Sequence, residues 1–130
     1  MAWVEIFAVL VVSHAVGDYL LQTDWQALNK RGGLGPDPRA RRALLSHIAT
    51  YTVAFVPALV WLAGEIGAWA VATGALIAVP HLVQDDGRLL AIYMLRVKHT
   101  DGRANPSVAA AADQTFHFLA LFLTALLVGD

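Results

Sequence analysis

AWVEIFAVLVVSHAVGDYLLQ, residues 2–22, is long and apolar enough to cross a bilayer, yet carries His14 and Asp18. A span needs about 20 mostly apolar residues. Ionisable groups inside one are expensive and mark function by default. Four helical residues make about one turn and about 6 Å of rise, so His14 and Asp18 share a face. The spacing recurs as His81 and Asp85, and reversed as Asp113 and His117. Each pair lets one helix offer two ligands to one cation.

The surrounding composition agrees with a lipid environment. Of the 130 residues, 58% are hydrophobic and only 15% charged, against about a quarter charged in soluble domains. Mean hydropathy is +0.57. The net charge of −1 gives no electrostatic footprint for nucleic acid. The absence of cysteine excludes disulfides and thiolate metal sites. The opening Met-Ala-Trp-Val-Glu lacks the basic region of a cleaved signal peptide, so the first stretch reads as a retained span.

Four spans are expected, at 2–22, 43–63, 66–84 and 108–128, with the middle two joined at Gly64 and Glu65. Residues 23–42 and 86–107 form two long polar loops. Within the second, 89–95 is apolar between Arg88 and Arg96, and reads as an interfacial helix or an extension of the third span. All nine lysines and arginines lie in these loops. The positive-inside rule therefore places both loops in the cytoplasm and both termini outside. Trp3, Trp61 and Trp69 at the outer boundary and Trp25 at the inner one fit that assignment. The expected fold is an all-α four-helix transmembrane bundle, N-out and C-out, with a short cytoplasmic interfacial helix.

This orientation gathers the polar residues. His14, Asp18, His47, His81, Asp85, Asp113 and His117 all fall at one depth near the cytoplasmic leaflet, below apolar outer halves. His14-Ala-Val-Gly-Asp18 and His81-Leu-Val-Gln-Asp85 also suggest a parallel internal repeat. Three carboxylates and four imidazoles at one depth call for a common counter-charge. A divalent cation, a structural His/Asp network and a proton relay each supply one. Imidazole and carboxylate without sulfur suit Zn²⁺, Mn²⁺ or Fe²⁺ better than Mg²⁺ or Ca²⁺. Seven ligands exceed one tetrahedral zinc, so two metals, or one metal with a general base drawn from Asp18, Asp85 or Asp113, are both open. Gln22 and Gln114 stand where supporting hydrogen bonds are needed. Arg39, Arg41 and Arg42 are placed to meet anionic lipid headgroups.

His14-xxx-Asp18-Tyr19-Leu20-Leu21-Gln22-Thr23-Asp24-Trp25, with Asp113-Gln114-xx-His117, resembles a family of small bacterial and phage membrane proteins known as domain of unknown function 3307. The likeness covers nearly the whole chain and implies a multi-helix membrane protein. The pattern is also similar, more loosely, to membrane-bound metal-dependent hydrolases. That resemblance implies hydrolysis of a lipid or lipid-linked substrate. Metal or proton transport, in an oligomer if at all, and a non-catalytic role are the other readings.

Overall fold

Helix follows the apolar stretches, breaks ahead of Pro57 and at Gly67 and Gly87, and runs through Gly74 and Pro80. The structure, a computed structural model, describes all 130 residues. It is 78% helical with no strand, so the all-α expectation holds. Helix α1, Trp3–Ala15, runs directly into a π-helical turn, Val16–Leu21. There follow α2 (Asp24–Asn29), α3 (Pro38–Ala54), α4 (Val56–Ile66), α5 (Trp69–Asp85), α6 (Arg88–Arg96) and α7 (Pro106–Val128).

Two stretches are long and apolar enough to cross a membrane on their own, Trp3–Leu21 and Pro106–Val128. A third appears if α3 and α4 count as one span bent by 52°. That bend departs from the single helix expected over 43–63. Its cause is Pro57, whose missing N–H and ring clash break the helix one turn upstream. Phe55 N instead bonds Thr52 O at 3.0 Å, a tightened last turn. Helix α5 has 17 residues, about 25 Å, short of a bilayer core of about 30 Å. It continues unbroken through Pro80. The reversal between α4 and α5 falls at Gly67, not at the expected Gly64 and Glu65.

The polar loop 23–42 is more ordered than its composition implies. Thr23 and Gln26 form a capping box that starts α2, and Asp37 caps α3 ahead of Pro38. Gly87, with φ 82°, separates α6 from α5. A side chain there would be strained, so 89–95 belongs to its own helix and does not extend the third span.

The core meets the polar residues at Tyr51. Ile6, Leu10, Tyr51, Phe55, Leu62, Ile77, Leu121 and Ala125 pack together from five helices. Around them Val12, Leu20, Val53, Val60, Val71, Val79, Leu123 and Leu127 are exposed. Apolar outside with imidazoles and carboxylates inside fits a chain solvated by lipid. Both termini meet at one end, where the Met1 ammonium pairs with the Asp130 carboxylate. Two contacts tie the 23–42 loop to the other end. Gly32 N donates to Asp86 O, and Leu34 N to Asp86 Oδ1, each at 2.8 Å.

Candidate metal centre

Asp18 lies within the π-helical turn, a local widening that is frequent at functional sites. The turn brings the chain hard against α3. A Cβ on Gly17 would sit 2.6 Å from Tyr51 Cδ2, so only glycine permits the approach. Helix α3 brings His47 and Tyr51 to the same level, α5 brings His81 and Asp85, and α7 brings Asp113, Gln114 and His117.

Four donor atoms converge: Asp18 Oδ1, His47 Nε2, His81 Nε2 and Asp85 Oδ2. The two imidazole nitrogens are 3.1 Å apart. His47 Nε2 lies 3.2 Å from Asp18 and 2.9 Å from Asp85. His81 Nε2 lies 3.3 and 3.2 Å from the same two carboxylates. A tetrahedral zinc with bonds of about 2.0–2.1 Å separates its ligand atoms by about 3.3 Å. Five edges of the polyhedron therefore already have nearly the lengths that a small cation would impose. All four residues are buried, and Asp18 Oδ1 receives no hydrogen bond. His47 and His81 Nδ1 have no partner either, so nothing outside the cluster fixes their tautomers.

His14 stands outside this cage. Gln114 directs its amide nitrogen at Asp18 (3.5 Å), so its Oε1 accepts from His14 Nε2 at 2.9 Å. Tyr51 Oη then donates to His14 Nδ1, also at 2.9 Å. Both ring nitrogens are thereby occupied by hydrogen bonds, and His14 offers no free nitrogen to the four-atom group. Besides reaching Asp18, Gln114 also accepts from Tyr19. Gln22 turns to the Asp18 backbone carbonyl instead of its carboxylate.

Tyr51 was absent from the sequence-based set, although it follows His47 by one helical turn. Its ring stacks on His81, with centroids 3.4 Å apart and planes at 4°. Tyr51→Phe keeps the stack and removes the bond to a buried imidazole. Loss of about 1–3 kcal/mol is expected in thermal unfolding, because His14 Nδ1 is left unsatisfied. Any bound metal should weaken by about 10–100-fold, the usual effect of losing an outer supporting group.

Lys30, following α2, is the other unforeseen residue. Its ammonium reaches Asp85 Oδ2 at 2.6 Å from the loop side. With neutral imidazoles, three carboxylates against this one ammonium leave two formal negative charges, the complement of one divalent cation. His117 meets Asp85 Oδ1 at 3.1 Å, while Asp113 lies to one side and is half-buried.

The suggested repeat is partial. Asp18–His47 at 3.2 Å has its counterpart in Asp85–His117 at 3.1 Å. The cage contacts His81–Asp18 and His47–Asp85 have no such mates. Of the three arginines expected at headgroups, Arg41 donates to Gly35 O at 2.8 Å and Arg42 lies 6.0 Å over Trp25.

No curated protein and no solved structure gave a significant match. The family profile does match, over residues 6–129, and so nearly the whole chain. The chain belongs to the family described as protein of unknown function (DUF3307).

Proposed function

We propose that this protein is a multi-pass bundle of the bacterial cytoplasmic membrane that binds a divalent transition metal near the cytoplasmic leaflet. The four-atom cage of Asp18, His47, His81 and Asp85 carries the reading, through edges of 2.9–3.3 Å among buried donors. The N-out, C-out orientation is supported by the basic loops lying at the cage end and the termini at the other. Zinc, manganese and iron suit the donor set better than magnesium or calcium.

On this reading the protein is a metal-dependent hydrolase of a lipid or lipid-linked ester or phosphoester. A bound divalent cation supplies Lewis-acid and water-activating chemistry. Asp18 and Asp85 are committed to holding it. Asp113, half-buried, faces a cavity between α5, α6 and α7 where a substrate headgroup would enter. Arg39, Arg41 and Arg42 would attract anionic lipid. Transport is less well supported, because the opposite half is filled by the apolar core around Phe55, Leu62 and Ile77, with no ionisable relay.

Elemental analysis of detergent-purified protein tests the reading. At least one equivalent of transition metal per chain is expected in the wild type, and loss of it in His47→Ala/His81→Ala. A metal-free wild type after growth in metal-replete medium would leave the cluster a purely structural network. With metal present, lipid hydrolysis in vesicles against ion uptake separates enzyme from transporter.

A further inference from the structure

A cage with four protein ligands is closed, the pattern of a structural site; catalytic sites keep a position open. We infer that a second divalent cation binds beside the first, held by Asp85 Oδ1, His117 Nε2 and the Asp113 carboxylate. Asp85 then bridges the pair, and an anionic phosphoester is the ligand class that completes the open side. The inference rests on the cage reading and assigns the chemistry to its neighbour.

Asp85 faces two groups with its two oxygens. Oδ2 meets His47 and His81, whereas Oδ1 meets His117 at 3.1 Å. His117 Nδ1 donates to the Asp113 backbone carbonyl at 2.7 Å, so in the neutral ring Nε2 is the nitrogen that carries the lone pair. That lone pair faces a carboxylate oxygen in a buried setting, acceptor against acceptor. A positive charge belongs between them.

The Asp113 carboxylate completes the group, with one donor atom from each residue within 4.8 Å of the others. Its Oδ2 lies 3.8 Å from His117 Nδ1, beyond hydrogen-bond reach, and the side chain is 26% exposed. Together with Gln84, Leu89, Leu90 and Phe116 it lines a cavity of ≈ 160 Å³. Three protein ligands and an accessible side are what an open site requires. Two cations sharing a carboxylate match the two-metal arrangement that grips both oxygens of a displacement.

Charge supplies the ligand class. One divalent cation neutralises the site, so a second leaves an excess of two positive charges. An anion entering the cavity restores neutrality, and a phosphate ester carries one or two negative charges. A larger cavity of ≈ 390 Å³ shares Phe116 and is lined by Lys98 and Ser107, which gives a lipid-linked phosphate room and a cation.

Metal-stripped protein in detergent, titrated with Mn²⁺, tests the inference. Saturation at two equivalents is expected, with the electron paramagnetic resonance signature of an exchange-coupled pair that inorganic phosphate perturbs. Asp113→Asn, nearly isosteric and at a half-buried position, should bind one equivalent, uncoupled and blind to phosphate, with helicity unchanged by circular dichroism. Saturation of the wild type at one equivalent, or two coupled equivalents in Asp113→Asn, overturns the second site and leaves the cage intact. No binding in either protein overturns both readings. A charge supplied by a proton on His117 would give the one-equivalent result.

Discussion

Asp85→Asn is expected to empty the site of metal. Asp85 contacts three imidazoles, His47, His81 and His117, and the Lys30 ammonium. Its Oδ2 meets His47, His81 and Lys30, and its Oδ1 meets His117. The amide removes the charge that makes the cage attractive to a cation and turns a donor group toward the imidazoles. An affinity loss exceeding about 100-fold should follow, because losing a mere outer supporting group already brings about 10–100-fold. Stability should fall less steeply. Removing one partner of a buried ion pair is worth about 3–5 kcal/mol when the other cannot escape, but the Lys30 side chain is 14% exposed and can swing out toward the loops. Adding Lys30→Met to Asp85→Asn separates the two effects. Thermal unfolding should return toward the wild-type temperature while elemental analysis still finds no metal. Stoichiometric metal in Asp85→Asn would remove that residue from the centre.

Hydropathy reveals the spans Trp3–Leu21 and Pro106–Val128 because each is long and apolar without a bend. It misplaces the second span because a composition window averages across a bend. Residues 43–63 are apolar on average, and only Pro57 signals that the helix must restart at Val56. The start of α2 is also written locally, in Thr23-x-x-Gln26, but the glycines, prolines and charges of 23–42 mask it. The left-handed Gly87 that frees α6 needs coordinates, since glycine tolerates helix and turn alike.

Within the site, the i, i+4 pairs are readable because one helix carries both members, and the charge map puts the pairs at one end. What the spacing cannot assign is which nitrogen points where. His14 and His81 have the same relation to an aspartate, yet His14 is saturated by Tyr51 and Gln114 while His81 offers Nε2 to the cage. The difference comes from neighbours on α3 and α7, 37 and 100 residues away. Lys30 is hidden for the same reason. A lysine in a polar loop looks solvated until the contacts of Gly32 and Leu34 with Asp86 fold that loop back onto α5.

Gly17→Ala is expected to damage both the fold and the metal centre through a single methyl group. The added Cβ would lie 2.6 Å from Tyr51 Cδ2 and 3.2 Å from Cε2. Overpacking of this kind typically costs about 1–3 kcal/mol, and here the struck ring has no free direction. It is 1% exposed, stacked on His81 and hydrogen-bonded to His14. Moving it displaces a cage ligand and the imidazole beside Asp18 together. Gly74→Ala is the matched control on α5. Its Cβ would meet only Leu59 Cδ1, at 3.3 Å, the tip of a flexible side chain. The alanine should also relieve the entropic cost of a mid-helix glycine, so stability should hold or rise and metal content stay constant. In Gly17→Ala, thermal unfolding in detergent should drop by the cited amount and metal affinity by about 10–100-fold, as for loss of a supporting group. Combining it with Tyr51→Phe should bring no recovery, because the collision is with the ring and not the hydroxyl. Wild-type unfolding and metal content in Gly17→Ala would show that the π-helical turn and α3 are not held together at this point.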